Sequence, residues 1–172
     1  MLFRSEDRAM TSRAASLESL DLNEAAREVI ALSSSELQRN RVVLQSELAD
    51  DLPSIIGDRV QLQQVILNLL RNASDAMVAV DDRPRQLVVR TARDAGDRVR
   101  LTVKDAGEGF DDHMVDKLFE AFYTTKPSGM GIGLSVSRSI IESHHGRIWA
   151  EPNDGPGATF AFAIPCAVER TV

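Results

Sequence analysis

The 172 residues of this chain contain a single cysteine, Cys166. One cysteine excludes an internal disulfide framework and any cysteine-built zinc cluster, and it suits a reducing, cytoplasmic setting. Long apolar runs are also missing, since none approaches the roughly 20 residues a membrane-crossing helix needs. The opening MLFRSEDRAM carries acids where a signal peptide would be apolar. Positive charge is in deficit, with 20 Lys and Arg against 26 Asp and Glu and a formal net charge of −6. No broad cationic surface is left to neutralise the phosphates of a duplex, so no nucleic-acid partner is expected. Lysine is the scarcest charge of all: Lys104, Lys117 and Lys126 stand beside seventeen arginines.

What is present is an ordinary globular composition, 43% hydrophobic and 27% charged, at a length that fits one domain with a self-supporting core. Residues 1 to 20 carry no strong apolar stripe and read as a tail or the end of a helix. From Asp21, a plausible N-cap, residues Leu22, Ala25, Ala26, Val29, Ile30 and Leu37 recur at helical spacing. A β-branched run over 41 to 50 predicts a strand, broken by Pro53 and Gly57, and a second helix starts near Asp58. RQLVVRTARD and DRVRLTVKD alternate apolar and polar residues around a turn at 94 to 97, which predicts a hairpin. A glycine- and proline-punctuated stretch over 106 to 133 reads as a lid with one short helix near residues 115 to 119. A third helix follows in LSVSRSIIESHH, with Gly146 as its stop, then strands in RIWAE and ATFAFAIP. The expected fold is α+β, a two-layer α/β sandwich: a mixed sheet of about five strands covered on one face by three helices, with a long lid.

Three constellations carry chemistry. On the second helix, Leu62, Val65, Ile66, Leu69, Ala73, Ala76 and Val80 form the core stripe, while Asn68, Asn72 and Asp75 share a separate, narrower line. Asparagine is a mediocre helix former, so two of them one turn apart are either ordinary solvent-facing residues or a use of their carboxamides. A carboxamide oxygen can ligate Mg²⁺ without adding negative charge near phosphates. On the strand before the lid, Asp105 shares parity with Val99, Leu101 and Val103 and is directed to the apolar side. It either accepts backbone N–H groups in a turn or accepts the exocyclic amine of a purine, with Gly107 and Gly109 allowing the base close approach. Finally, Gly129, Gly131 and Gly133 lead into a helix N-terminus, an arrangement that suits either a hinge or a phosphate. Val136 stands where a dinucleotide fingerprint needs its third glycine, and there is no GxxxxGK[ST] loop.

In order, NLLRNASDA, DAGEGF, LFEAFYTTK, GMGIGL and GPGATFAF resemble the N, G1, F, G2 and G3 boxes of sensor histidine kinases. The resemblance covers about residues 22 to 165. It implies the catalytic, ATP-binding domain of that family, the Bergerat fold shared with gyrase B, Hsp90 and MutL. Carried over by motif, Asn72 is the Mg²⁺ ligand and Asn68 its neighbour on the phosphate side. Asp105 takes the adenine amino group, Gly107 and Gly109 shape the base pocket, and Thr159 adds a hydroxyl near the base. Phe119 and Phe122 hinge the lid, and Gly129, Gly131, Gly133 and Leu134 meet the phosphates at the helix start. Lys126, set beside the glycine loop in a chain that otherwise uses arginine, is assigned to the γ-phosphate.

Two positions depart from the family pattern. Asp75 stands where a Lys or Arg often follows the N-box asparagine, and Ala106 where Asn or Thr is common in G1. The histidines are His113, His144 and His145, and none lies in a long amphipathic helix of the kind the family's phosphoacceptor occupies. Residues 1–21 are therefore expected to be the tail of a dimerisation helix and its linker, 22–166 the catalytic domain, and 167–172 a C-terminal tail.

The resemblance implies transfer of the ATP γ-phosphoryl to a histidine on a separate dimerisation domain, for relay to a response-regulator aspartate. The fragment is expected to be monomeric, inactive in autophosphorylation alone and without direct membrane contact, and the parent kinase homodimeric and open to membrane anchoring. The rivals are an ATPase clamp of the gyrase, Hsp90 and MutL type and an anti-sigma-type serine kinase of the same fold.

Overall fold

The computed structural model describes residues 16–120 and 133–167. Elements follow in the order β1 (Glu18–Leu20), α1 (Leu22–Arg39), β2 (Val43–Glu47), β3 (Ile55–Gly57), α2 (Arg59–Ala76), β4 (Gln86–Asp94) and β5 (Arg98–Lys104). A 3₁₀ turn (Asp112–Lys117), α3 (Gly133–Ser143), β6 (Arg147–Pro152) and β7 (Ala158–Pro165) complete them. The main sheet has the order β2-β4-β5-β7-β6, with β2 parallel to β4 and all other pairs antiparallel. This is the two-layer α+β sandwich with a mixed five-stranded sheet and three helices that the sequence pattern implies.

The helix starts follow from side-chain caps. Asp21 accepts the Asn23 N–H at 2.9 Å and opens α1, and Asp58 accepts the Gln61 N–H at 3.1 Å and opens α2. Strand alternation then sorts the sheet into two faces. In register, Val89 opposes Val103 and Val103 opposes Phe160, and these residues with Leu87, Leu101, Phe162 and Ile164 are buried beneath the helices. On α2, Leu62, Val65, Ile66, Leu69 and Ala73 complete the core, as the stripe requires, whereas Ala76 is half-buried and Val80 lies beyond the helix end, buried all the same.

The structure differs from the sequence reading in two places. Glu18–Leu20 pairs antiparallel with Ile55–Gly57, so the end of the segment read as tail and linker forms a ribbon with Leu20 buried in the core. Residues 1–15 and 168–172 lie outside the described residues. The third helix ends through His145, which takes the left-handed conformation at φ 62°, not through Gly146. Gly146 is glycine for a packing reason: a Cβ there would stand 2.3 Å from the Ala163 carbonyl oxygen.

Candidate functional site

Asp105 leaves the end of β5 at the parity of Val103 and is 3% exposed. The two uses proposed for it are compatible, because each engages a different oxygen. Oδ1 accepts the Gly107 N–H at 2.9 Å and the Ala158 N–H at 3.2 Å. Oδ2 receives no donor among the described residues. Burial pushes the carboxyl pKa above its ordinary value, and the Gly107 and Ala158 amides offset part of that rise. A buried carboxylate with one oxygen held by backbone amides and the other unmet is a preorganised acceptor for a neutral N–H donor.

Glycine is required around Asp105 for reasons of space. A Cβ on Gly107 would come within 2.5 Å of the Ala76 carbonyl oxygen, so this turn packs directly on the end of α2. Gly157 has φ +94° and approaches closer still: its Cβ would stand 2.2 Å from the Asp105 carbonyl oxygen and 2.8 Å from Oδ1. Gly109, at φ +72°, would meet the Gly157 carbonyl at 3.0 Å. Gly107 thus joins the turn to the helix, and Gly109 sits against Gly157 on the strand side.

Along α2 the other functional candidates follow at one-turn spacing. Asn68 and Asn72 are half-buried and Asp75 is exposed. The Asn68 carboxamide donates to the Gly133 carbonyl at 3.3 Å and to the Ser137 hydroxyl at 3.2 Å, tying α2 to the first turn of α3. Gly133 opens α3, and a Cβ there would meet nothing closer than Asn68 at 3.8 Å. Leu134 is partly buried and packed on the core. From Asn68, at the start of α3, to Ala76, against the Asp105 turn, α2 rises about 12 Å at ~1.5 Å per residue. Asn72 lies midway.

Phe119 is 8% exposed and stacks edge-on against Phe160 at 6.3 Å, as Phe110 does at 6.1 Å. Both rings therefore anchor the chain between β5 and residue 120 on the core. Phe122, Lys126, Gly129 and Gly131 lie outside the described residues.

Thr159 requires a correction. It pairs with Lys104 across β5 and with Glu151 across β6, which places it on the open face of the sheet, opposite in parity to Phe160. Its hydroxyl donates to Asn153 Oδ1 at 2.6 Å. The residue beside the Asp105 carboxylate is Ala158, which has no hydroxyl to offer. A groove of about 630 Å³ lies on this side of the sheet, and Arg90, Thr102, Lys104, Asp105, Glu151 and Thr159 are among the residues that line it.

Sequence reasoning missed four residues that hold the site. Gly157 lies within the quoted GPGATFAF, yet its role shows only in the distance to Asp105. Ser137, Arg83 and Asn153 act through bonds to residues far off in sequence, and no local pattern marks them. Among the described residues there is no group of three or more His, Cys, Asp or Glu side chains able to hold a metal, and no helix long and apolar enough to cross a membrane.

Comparison with known proteins agrees with this geometry. Residues 57–168 match the family of histidine kinase-, DNA gyrase B-, and HSP90-like ATPases. The chain is 45% identical over 149 residues to the sensor protein FixL of Bradyrhizobium diazoefficiens, covering 87% of this chain and 29% of FixL. It thus spans less than a third of that relative's length. The solved catalytic domain of the histidine kinase ThkA superposes with a TM-score of 0.76 at 30% identity, covering 87% of this chain and 95% of that one. ThkA in complex with the response regulator protein TrrA gives 0.75 at 29% identity, over 90% and 43%.

Proposed function

Because the chain belongs to the histidine kinase-, DNA gyrase B-, and HSP90-like ATPase family, we propose that it is the catalytic domain of a two-component sensor histidine kinase. It binds ATP and donates the γ-phosphoryl to a histidine of a separate dimerisation domain, from which a response regulator receives it. The similarity to the sensor protein FixL and to the histidine kinase ThkA supports this reading, and the ThkA complex with TrrA supports the response regulator as partner.

The observation that carries the proposal is the half-satisfied Asp105 carboxylate, placed beside the end of α2, about two helical turns from Asn68 and the start of α3. Oδ2 accepts the exocyclic amine of adenine. The first turn of α3, its peptide groups directed along the helix axis, faces the phosphates with its positive end. Asn72, half-buried on the same helix line, brings a carboxamide that adds no charge, which fits Mg²⁺ held chiefly by nucleotide oxygens. When bound, Mg²⁺ neutralises phosphate charge. The chain itself orients the base, holds the polyphosphate extended along α2 and presents the γ-phosphoryl outward, and transfer of this kind depends mainly on such positioning. Lys126 is assigned to the γ-phosphate on the same reading.

The clamp-type ATPase reading needs a general base one turn before Asn72. Position 68 holds a carboxamide whose amino group is committed to Gly133 and Ser137, which favours phosphoryl transfer over brisk hydrolysis. The deciding experiment supplies γ-labelled ATP and a histidine-bearing dimerisation domain. Label on that domain, stable to base and labile to acid, is the expected result. Rapid release of free phosphate with no labelled protein would replace the kinase by the clamp.

A further inference from the structure

From Asp105 to Gly107 every backbone N–H and C=O has a partner, and side chains hold the carbonyls. The Asp105 N–H donates to the Ala158 carbonyl at 3.0 Å, the Ala106 N–H to the Met77 sulfur at 3.4 Å, and the Gly107 N–H to Asp105 Oδ1. Three consecutive carbonyls then accept from two residues. Asn153 Nδ2 donates to the Asp105 carbonyl at 2.9 Å, Arg83 Nε to the Ala106 carbonyl at 2.8 Å, and Arg83 Nη2 to the Gly107 carbonyl at 2.8 Å. Together they clamp the turn, Arg83 from the segment after α2 and Asn153 from the turn between β6 and β7.

The guanidinium suits this task in a way an ammonium does not. Nε–H and one Nη–H lie parallel in a rigid plane, so one side chain holds two successive carbonyls at a fixed spacing. With the carbonyls of 105, 106 and 107 immobilised, the Gly107 N–H has one direction, and Asp105 Oδ1 is drawn to it. Oδ2 is then aimed by the clamp and not by its own rotamer preference.

We propose that Arg83, assisted by Asn153, is a positioning residue that aims the free oxygen of Asp105 and so sets the selectivity of the site for adenine over other bases. The inference rests on the functional reading above, in which Asp105 meets the base. Its consequence is a division of labour: Asp105 makes the contact, and Arg83 decides how well the contact distinguishes an amino group from a carbonyl at the same ring position.

The test measures affinity of the whole chain for ATP and for GTP by calorimetry in four variants, Arg83→Ala, Arg83→Lys, Asn153→Ala and Asp105→Asn, with melting followed by circular dichroism. Arg83→Ala is expected to weaken ATP about tenfold and to lower the ratio of ATP to GTP affinity, since a mobile carboxylate tolerates either base edge. Arg83→Lys keeps the charge, folds, and does not restore the ratio. Asn153→Ala moves the ratio the same way by a smaller factor. A residue that only supported the fold would lower the melting temperature and weaken both nucleotides alike. If Arg83→Ala fails to fold, Arg83→Lys carries the decision, and an unchanged ratio in it overturns the proposal. Wild-type selectivity in both Arg83 variants, with Asp105→Asn losing ATP, overturns this inference alone. Wild-type ATP affinity in Asp105→Asn overturns the assignment of Asp105 and this inference with it.

Discussion

His144 and Asp58 meet across the helix layer: the imidazole Nε2 accepts the Asp58 backbone N–H at 3.0 Å, while Nδ1 donates to the Ile140 carbonyl at 2.7 Å. The ring is 7% exposed and both nitrogens are engaged. It fastens the end of α3 to the N-cap of α2, and the bond from Asn68 to Ser137 joins the same two helices nearer the start of α3. Replacing His144 by Ala leaves the Asp58 N–H without its partner and opens a cavity beside Gly57, whose Cβ position lies 2.8 Å from the ring. Such losses cost about 2–4 kcal/mol. Urea denaturation of His144→Ala should show a drop of that size, with no label appearing on this histidine in the wild-type protein exposed to ATP.

Asp105→Asn separates binding from stability. The backbone amides of Gly107 and Ala158 will keep the carboxamide oxygen at the Oδ1 position, which puts an NH₂ donor where Oδ2 faced the base. Two donors then oppose each other, and ATP affinity is expected to fall about tenfold or more. Stability should move the other way. Burial raises the native pKa of this carboxyl, so the folded state holds the proton more tightly than the unfolded chain does. The wild type therefore loses stability as pH rises from the ordinary carboxylate value, about 4, through the raised native value. The asparagine variant does not titrate. Its stability relative to wild type should increase from about pH 4 upward and level off above the native pKa, a trend that denaturant titrations across pH 4 to 8 will show or refute.

Asp105 and the two asparagines of α2 mark what the sequence made legible. Asp105 could be found because strand parity is local: a carboxylate two residues beyond Val103 must share its face. Asn68 and Asn72 could be found because helical spacing is local too. The direction of the Asn68 amino group could not, since Gly133 and Ser137 lie more than sixty residues away. The same limit hid β1, whose three residues become a strand only because Ile55–Gly57 is there to pair with them. Thr159 was misplaced by one residue of alternation: a motif names the position, but the pleat decides which face it serves.

Gly157 and Gly96 both adopt positive φ, +94° and +76°, but in different surroundings. At Gly96 an added Cβ meets nothing within 4 Å, so Gly96→Ala should cost only the left-handed backbone, about 1 kcal/mol. At Gly157 the Cβ would lie 2.2 Å from the Asp105 carbonyl oxygen, which Asn153 and the strand pairing hold in place. Gly157→Ala is expected to cost about 3 kcal/mol or more and to reduce ATP affinity by displacing Asp105. Equal melting temperatures for the two variants would show that the turn yields where its hydrogen bonds say it is held.

The contrast between Thr159 and Ala158 tests the face assignment directly. Thr159 shares the open face with Lys104 and Glu151, and its hydroxyl is engaged by Asn153. Thr159→Val removes that bond at little change in volume, and its effect should be a small loss of stability, about 1 kcal/mol. ATP affinity should stay within about twofold, because Asn153 retains its bond to the Asp105 carbonyl. Ala158→Ser acts on the other side of the strand. There the new hydroxyl arrives beside the Asp105 carboxylate, where it either donates to Oδ2 or contacts the base, and in both cases the acceptor offered to the adenine amine changes. Calorimetry should therefore find ATP affinity altered by Ala158→Ser and not by Thr159→Val. The reverse result would return the hydroxyl of Thr159 to the base pocket and require β7 to be shifted by one residue against β5.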